Sequence, residues 1–164
     1  MKEKIKFKIK KINESDKNWI KNFLKHEWGS ERIVSQNKVY YSVEFPGFLA
    51  VKDKKYLGLI IYEVKNKSCQ ILVIEAIARY KGIGTALIAR VKKEAKRLKC
   101  KKLWLNTTND NVDALRFYQR RGFSIKAIYP DAVTYERKKL KPEIPLIGDY
   151  GIPIRDEIEL EIKI

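Results

Sequence analysis

The feature that most constrains this chain is an apolar run, CQILVIEAI, that leads into two glycines one residue apart, Gly82 and Gly84. From Gly84 to about Lys99, Leu87, Val91, Ala95 and Leu98 recur at helical spacing while the lysines and Glu94 fall elsewhere, the pattern of an amphipathic helix. A strand therefore runs through a glycine turn into a helix. Free backbone amides at a helix N-terminus bind anions, and glycines let the chain approach a phosphate closely. A tight turn without a ligand is the competing reading. A Walker loop would need a longer glycine-rich stretch ending in Lys and then Ser or Thr, which is absent. A Rossmann fingerprint would need Gly or Ala where Leu87 stands, within a βαβ unit, whereas the preceding strands read as antiparallel.

The remaining segments extend the same alternation of element types. Residues 5 to 12 alternate as a strand, Ser15 or Asp16 caps a helix through about Trp28, and WGSERIVS breaks it. GFLAVKD and YLGLIIYEV flank Lys54 and Lys55 as a hairpin. KLWLNTT is the next strand, NVDALRFYQRR the next helix with Gly122 as its left-handed cap, and FSIKAIY resumes as strand. Residues 130 to 156 hold four of the five prolines and read as one extended connection. The closing IELEIKI sets Ile158, Leu160, Ile162 and Ile164 against Glu157, Glu159, Glu161 and Lys163. One domain over residues 1–164 is expected.

Length and charge narrow the class. A chain of 164 residues buries roughly two thirds of its unfolded surface as one domain. No run approaches the roughly 18 apolar residues of a membrane span, and the lysine-alternating start is not a secretory signal. Cys69 and Cys100 lack metal-like spacing and suit reduced thiols in a cytoplasmic protein, and no metal is expected. The net charge of +16 fits a polyanion, an anionic cofactor or a solvated lysine surface, with clusters at Lys92, Lys93, Lys96, Lys99, Lys101 and Lys102. No helix-turn-helix or zinc-finger spacing accompanies it, so nucleic acid is not the favoured partner.

One strand beyond the glycine helix, NTTNDNVDALRFYQRRGF places Asn111, Ala114, Tyr118, Gly122 and Phe123. Together with Arg79, Gly82 and Gly84, which match Arg or Gln, two residues, Gly, one residue, Gly or Ala, this stretch resembles the GNAT superfamily of acyl-CoA-dependent N-acyltransferases. The ending IPLIGDYGIPIRDEIELEI is similar to an uncharacterised group of small prokaryotic members. The resemblance covers nearly the whole chain, with two departures: EAIARYKGIG lacks the proline many members carry there, and the 130–156 connection is longer than a simple hairpin.

The resemblance implies an α/β (α+β) fold, a mixed sheet splayed between the fourth and fifth strands with flanking helices. It implies acetyl-CoA in that splay, CoA as product, and an amine acceptor on a small molecule or a protein. Arg79, Lys81, Gly82, Ile83, Gly84 and Thr85 would hold the pyrophosphate, Ile77 and Ala78 would run along the pantetheine, and Asn111 and Phe117 would contact the cofactor. Tyr118 would donate to the departing sulfur, or else be a core tyrosine. Glu75, an ionisable residue in an apolar strand, is the candidate general base, or else an outward strand residue paired with a lysine. Glu63, His26 and Glu44 are lesser candidates, and Trp28 and Arg32 are placed at the acceptor entrance. The connection at 130–156 is expected to cover that entrance. Two other functions are open at this stage: an RNA- or ribosome-binding protein on the same fold, and a CoA-responsive regulatory module without acyl transfer. A homodimer is compatible with the acyltransferase reading and with either alternative.

Overall fold

The structure, a computed structural model, describes residues 5–164; the first four residues of the lysine-rich start lie outside it. Strand β1 (Lys8–Lys11) is followed by helix α1 (Lys17–Trp28), which ends at Gly29 with φ 72°. Next come β2 (Arg32–Ser35), β3 (Lys38–Tyr41), β4 (Gly47–Lys52), β5 (Lys55–Lys65) and β6 (Ser68–Ala76). Helix α2 (Ile83–Arg97) crosses to β7 (Lys102–Thr108). Helix α3 (Val112–Gln119), β8 (Ser124–Tyr129), helix α4 (Ala132–Lys139) and β9 (Glu157–Lys163) complete the chain.

Seven strands form one sheet in the order β1-β4-β5-β6-β7-β9-β8, and only the β6–β7 pair is parallel. The antiparallel order of the early strands follows from two-residue turns. Asp53 and Lys54 (φ 47° and 63°) join β4 to β5, and Asn66 and Lys67 (φ 51° and 56°) join β5 to β6. Positive φ at both central residues gives the twist that matches flanking strands. Helices α2 and α3 cover one face, with Leu87, Val91, Leu103, Leu105 and Leu160 buried between. Helix α1 and the β2–β3 hairpin cover the other, over Leu49, Leu59, Ile61 and Leu72. No helix among the described residues is long and apolar enough to cross a membrane.

Two elements depart from the sequence reading. The stretch after α1 is not merely a break: β2 and β3 pair as a short hairpin about Gln36 and Asn37 (φ 48° and 59°). The 130–156 connection contains α4, whose buried side chains are only Val133 and Glu136, so it carries no apolar stripe for periodicity to reveal.

The tip of that hairpin is held by carboxylates. The amide of Gln36 donates to Glu157 at 3.2 Å, the amide of Asn37 to Glu136 at 3.0 Å, and the Gln36 side chain to Glu159 at 2.8 Å. All three glutamates are buried. Burial, with Glu136 and Glu159 adding repulsion against the opposing Gln36 amide, pushes the Glu157 carboxyl up to about 7. An acid whose folded pKa lies above its unfolded value binds the extra proton in the folded state, so folding stability falls as pH rises between about 4.5 and 7. Glu157→Gln should therefore raise the unfolding midpoint at pH 8, by on the order of 1–2 kcal/mol of stability. It should flatten that pH dependence in thermal melts taken from pH 5 to pH 8; an unchanged slope would remove Glu157 as its source.

Candidate active site

Strands β6 and β7 pair only from Ser68–Ile71 to Lys102–Leu105 and then part. The parting coincides with an irregularity in β6: Ile61 stands opposite Val73 and Tyr62 opposite Ile71, which leaves Leu72 as the extra residue. Such a bulge bends and twists its strand. The cleft that opens is lined by Trp28, Leu72, Glu75, Asn106, Asn111 and Tyr118, among others.

Backbone polarity in the cleft follows from strand register. The amide of Ile77 donates to the Leu57 carbonyl at 2.9 Å, and Glu75 stands opposite Leu59 in the same phase. Groups that face β5 alternate with groups that face away. The amides of Ile74 and Ala76 thus point to the cleft side, while that of Ile77, expected to lie along a ligand, is directed to β5. The Ile77 side chain is half exposed, and Ala78 continues past the strand end.

At the mouth, Gly82 has φ 81° and caps α2. The first turn-closing bond of this helix runs from the Ala86 amide to the Gly82 carbonyl, so the amides of Ile83, Gly84 and Thr85 precede it. The Ile83 side chain is buried in the core and offers the mouth only its backbone, whereas Arg79 and Thr85 are exposed and Lys81 is half-buried. Any Cβ on Gly84 would lie 3.1 Å from the Phe117 ring. Arg121 stacks on that ring with its guanidinium 3.5 Å from the centroid, and its Nε donates to the Thr85 hydroxyl at 3.0 Å. A third cation, beside Arg79 and Lys81, therefore stands near the helix N-terminus, unmarked by any motif.

Asn111 caps α3, its side chain accepting from the Ala114 amide at 3.3 Å, while lining the cleft. Tyr118 is buried, and burial with the nearby Glu75 charge raises its phenol well above the ordinary value. Trp28 Nε1 donates to Glu75 Oε1 at 2.9 Å. Burial raises the Glu75 pKa, the Trp28 N–H opposes it, Glu27 raises it further and Arg79 lowers it. The structure thus brings Glu75, Tyr118, Trp28 and Asn111 together. Asn106 also lines the cleft and belongs to no motif, its one signal in the sequence being the alternation with Leu103 and Leu105 that sets it on the opposite face of β7.

Arg32 is engaged elsewhere. It pairs with Glu143 at 3.0 Å, and the buried Lys141 donates to its carbonyl at 2.9 Å with the ammonium 5.9 Å from the Trp28 ring. The 130–156 connection is thereby locked onto the segment after α1. Of the lesser base candidates, none lines the cleft: Glu63 belongs to another cavity, His26 is exposed beside Glu27, and Glu44 sits in the turn before β4.

The family model described as "Acetyltransferase (GNAT) family" matches residues 17–123. The uncharacterised protein YdhI of Bacillus subtilis is 40% identical over 147 residues, 89% of this chain and 91% of that protein. An IAA acetyltransferase from Bacillus cereus has a TM-score of 0.77 at 25% identity, with 97% of this chain and 100% of that chain covered. A Bacillus subtilis acetyltransferase solved in complex with CoA has a TM-score of 0.74 at 19% identity, covering 97% and 99%.

The Trp28–Glu75 bond has a measurable consequence. Trp28→Phe removes the N–H that stabilises the carboxylate, so the Glu75 titration should move to higher pH by about one unit. A carboxyl-carbon NMR titration checks this, and an unmoved or lowered midpoint would show that the indole does not tune Glu75.

Proposed function

The chain belongs to the acetyltransferase (GNAT) family, and from that premise we propose that its β6–β7 cleft transfers the acetyl group of acetyl-CoA to a primary amine by direct attack. One observation carries this reading: the strands part to open a cleft that holds Glu75 and Tyr118, and Gly84 in the first turn of α2 lies against Phe117, whose ring packs on Tyr118. Acetyl-CoA supplies an activated thioester carbonyl and a thiolate leaving group.

The amides of residues 82 to 85 fit a pyrophosphate, with Arg79, Lys81 and Arg121 adding positive charge about the turn. The amides of Ile74 and Ala76 are the donors suited to extended pantetheine and to the carbonyl oxygen as negative charge develops there. Ile77 and Ala78 contribute the rim of the same path, and Phe117 contributes an apolar wall beneath Gly84.

An attacking amine must be neutral, whereas an alkylammonium has a pKa of about 10. Glu75, raised by burial, is a stronger proton acceptor than an exposed carboxylate and takes that proton directly or through water. Tyr118 cannot pass its proton downhill to a thiolate whose conjugate acid lies near about 8.5. Its contribution is a hydrogen bond to the sulfur as charge builds. Trp28 holds Glu75 in place and walls the acceptor side. Arg32, paired with Glu143, fixes the connection over that side and reaches an acceptor only if that pair opens.

Tyr118→Phe should reduce kcat by about 10- to 100-fold with little change in acetyl-CoA affinity. Unchanged turnover, followed by CoA release, would remove Tyr118 from the chemistry. Gly84→Val forces a branched side chain toward the Phe117 ring and should weaken acetyl-CoA binding by at least about tenfold in a folded protein. Calorimetric affinity equal to that of the unaltered chain would contradict the pyrophosphate placement.

A further inference from the structure

On the face of the sheet covered by the β2–β3 hairpin, a second cavity of about 210 Å³ opens between β3, the β5–β6 hairpin and β7. It shares no lining residue with the catalytic cleft. A hydrogen-bonded bridge separates the two: the Ser35 hydroxyl accepts from Gln70 Nε2 at 3.1 Å and from Asn106 Nδ2 at 2.8 Å. Gln70 lines the second cavity and Asn106 the cleft. Gln70 and Glu75 lie five positions apart on β6, roughly 17 Å at strand rise. A small molecule in one place does not reach the other.

The lining of this cavity is unusual in its charges. Lys38, Lys65 and Glu63 all border it, and none of the three forms an ion pair among the described residues. Ser68, also in the lining, has a buried hydroxyl without a hydrogen-bond partner. Trp104 and Tyr40 supply aromatic surface, and Lys102, itself paired with Glu161, holds its ammonium 5.7 Å from the Trp104 ring. Burial and the charges of Glu63 and Glu157 raise the Tyr40 phenol, which leaves it a neutral hydrogen-bond donor.

Two cations and one anion about one aromatic-walled space select among ligands. A polyamine meets two lysines, and a polyphosphate meets Glu63. A molecule that carries one carboxylate and one ammonium meets a complement for each. We propose that this cavity is a second small-molecule site that takes a zwitterion of the α-amino-acid class, carboxylate toward Lys38 and Lys65, ammonium toward Glu63, and side chain against Trp104.

The test is calorimetric titration of the full chain with L-phenylalanine and no acetyl-CoA, so that its outcome is independent of the acyl-transfer reading. Saturable binding with a dissociation constant at or below about 1 mM is expected, with phenethylamine and 3-phenylpropionate each at least about tenfold weaker. Lys38→Ala with Lys65→Ala, and separately Glu63→Gln, should each weaken L-phenylalanine by at least about tenfold, whereas Glu75→Gln should leave it unchanged. These charged groups border open solvent, and the Trp104 indole N–H resonance reports the site independently. Absence of saturable binding, equal affinity for the singly charged analogues, or sensitivity to Glu75→Gln without sensitivity to Glu63→Gln would each overturn the proposal.

Discussion

The parting of β6 from β7 is the constraint on which the rest of this structure depends. Parallel strands in a sheet normally satisfy each other along their length, yet these two stop after four residue pairs. Beyond the bulge at Leu72, the amides of Ile74 and Ala76 face a partner strand that has turned away. Backbone polar groups removed from water require a partner. An extended ligand with alternating amide groups is a suitable one, since it continues the ladder that β7 abandons. The same parting opens the gap through which side chains from both faces meet: Glu75 and Trp28 from the α1 side, Tyr118 from the α3 side.

Close packing of α2 on the sheet then fixes where the mouth lies. A Cβ on Gly58 of β5 would meet Ile83 at 2.6 Å and Leu87 at 3.2 Å, so the bare glycine lets the first turn of α2 settle onto the strand. With Ile83 and Leu87 buried, the helix cannot retreat from the end of β6 without losing contacts worth about 1.5–3 kcal/mol per side chain. The amides that precede the first turn-closing bond are therefore held by packing beneath them. Phe117 of α3 and Arg121 of the turn after it complete the seat, one under Gly84 and the other bonded to Thr85.

Much of this architecture is legible in the residues because local and global patterns agree. The apolar runs of β4 to β6, the helical stripe of α2 and the glycine turn each state their own element type. Glu75 stands out as a charge in an apolar run, whereas Tyr118 is picked out only by the family resemblance that Asn111, Ala114, Gly122 and Phe123 carry. What escapes is held by tertiary contacts. The β2–β3 hairpin has strands of four residues and a tip secured by glutamates 99 and 121 positions later. Helix α4 has no apolar stripe, and Val133 and Thr134 are tied instead to the Arg155 carbonyl. Arg121 carries no motif because its place beside Thr85 is set by how α3 lies against α2.

Apart from the buried Lys141, charge is sorted by depth, which changes the meaning of the net +16. Lys93, Lys96, Lys99 and Lys101 are exposed, whereas Glu94, Glu136, Glu157 and Glu159 are buried. The outer cations act on an approaching molecule across water, where a Debye length of about 8 Å at physiological salt limits their reach. The carboxylates act where water is excluded and the field is less screened. These outer lysines lie toward the far end of α2, roughly 15 Å or more from its first turn. At the rim an anion therefore meets Arg79, Lys81 and Arg121 instead, while inside the cleft an amine meets Glu75. The overall charge and the chemistry of the cleft therefore pull on different substrates at different distances, and the lysine surface does not exclude a cationic acceptor from the interior.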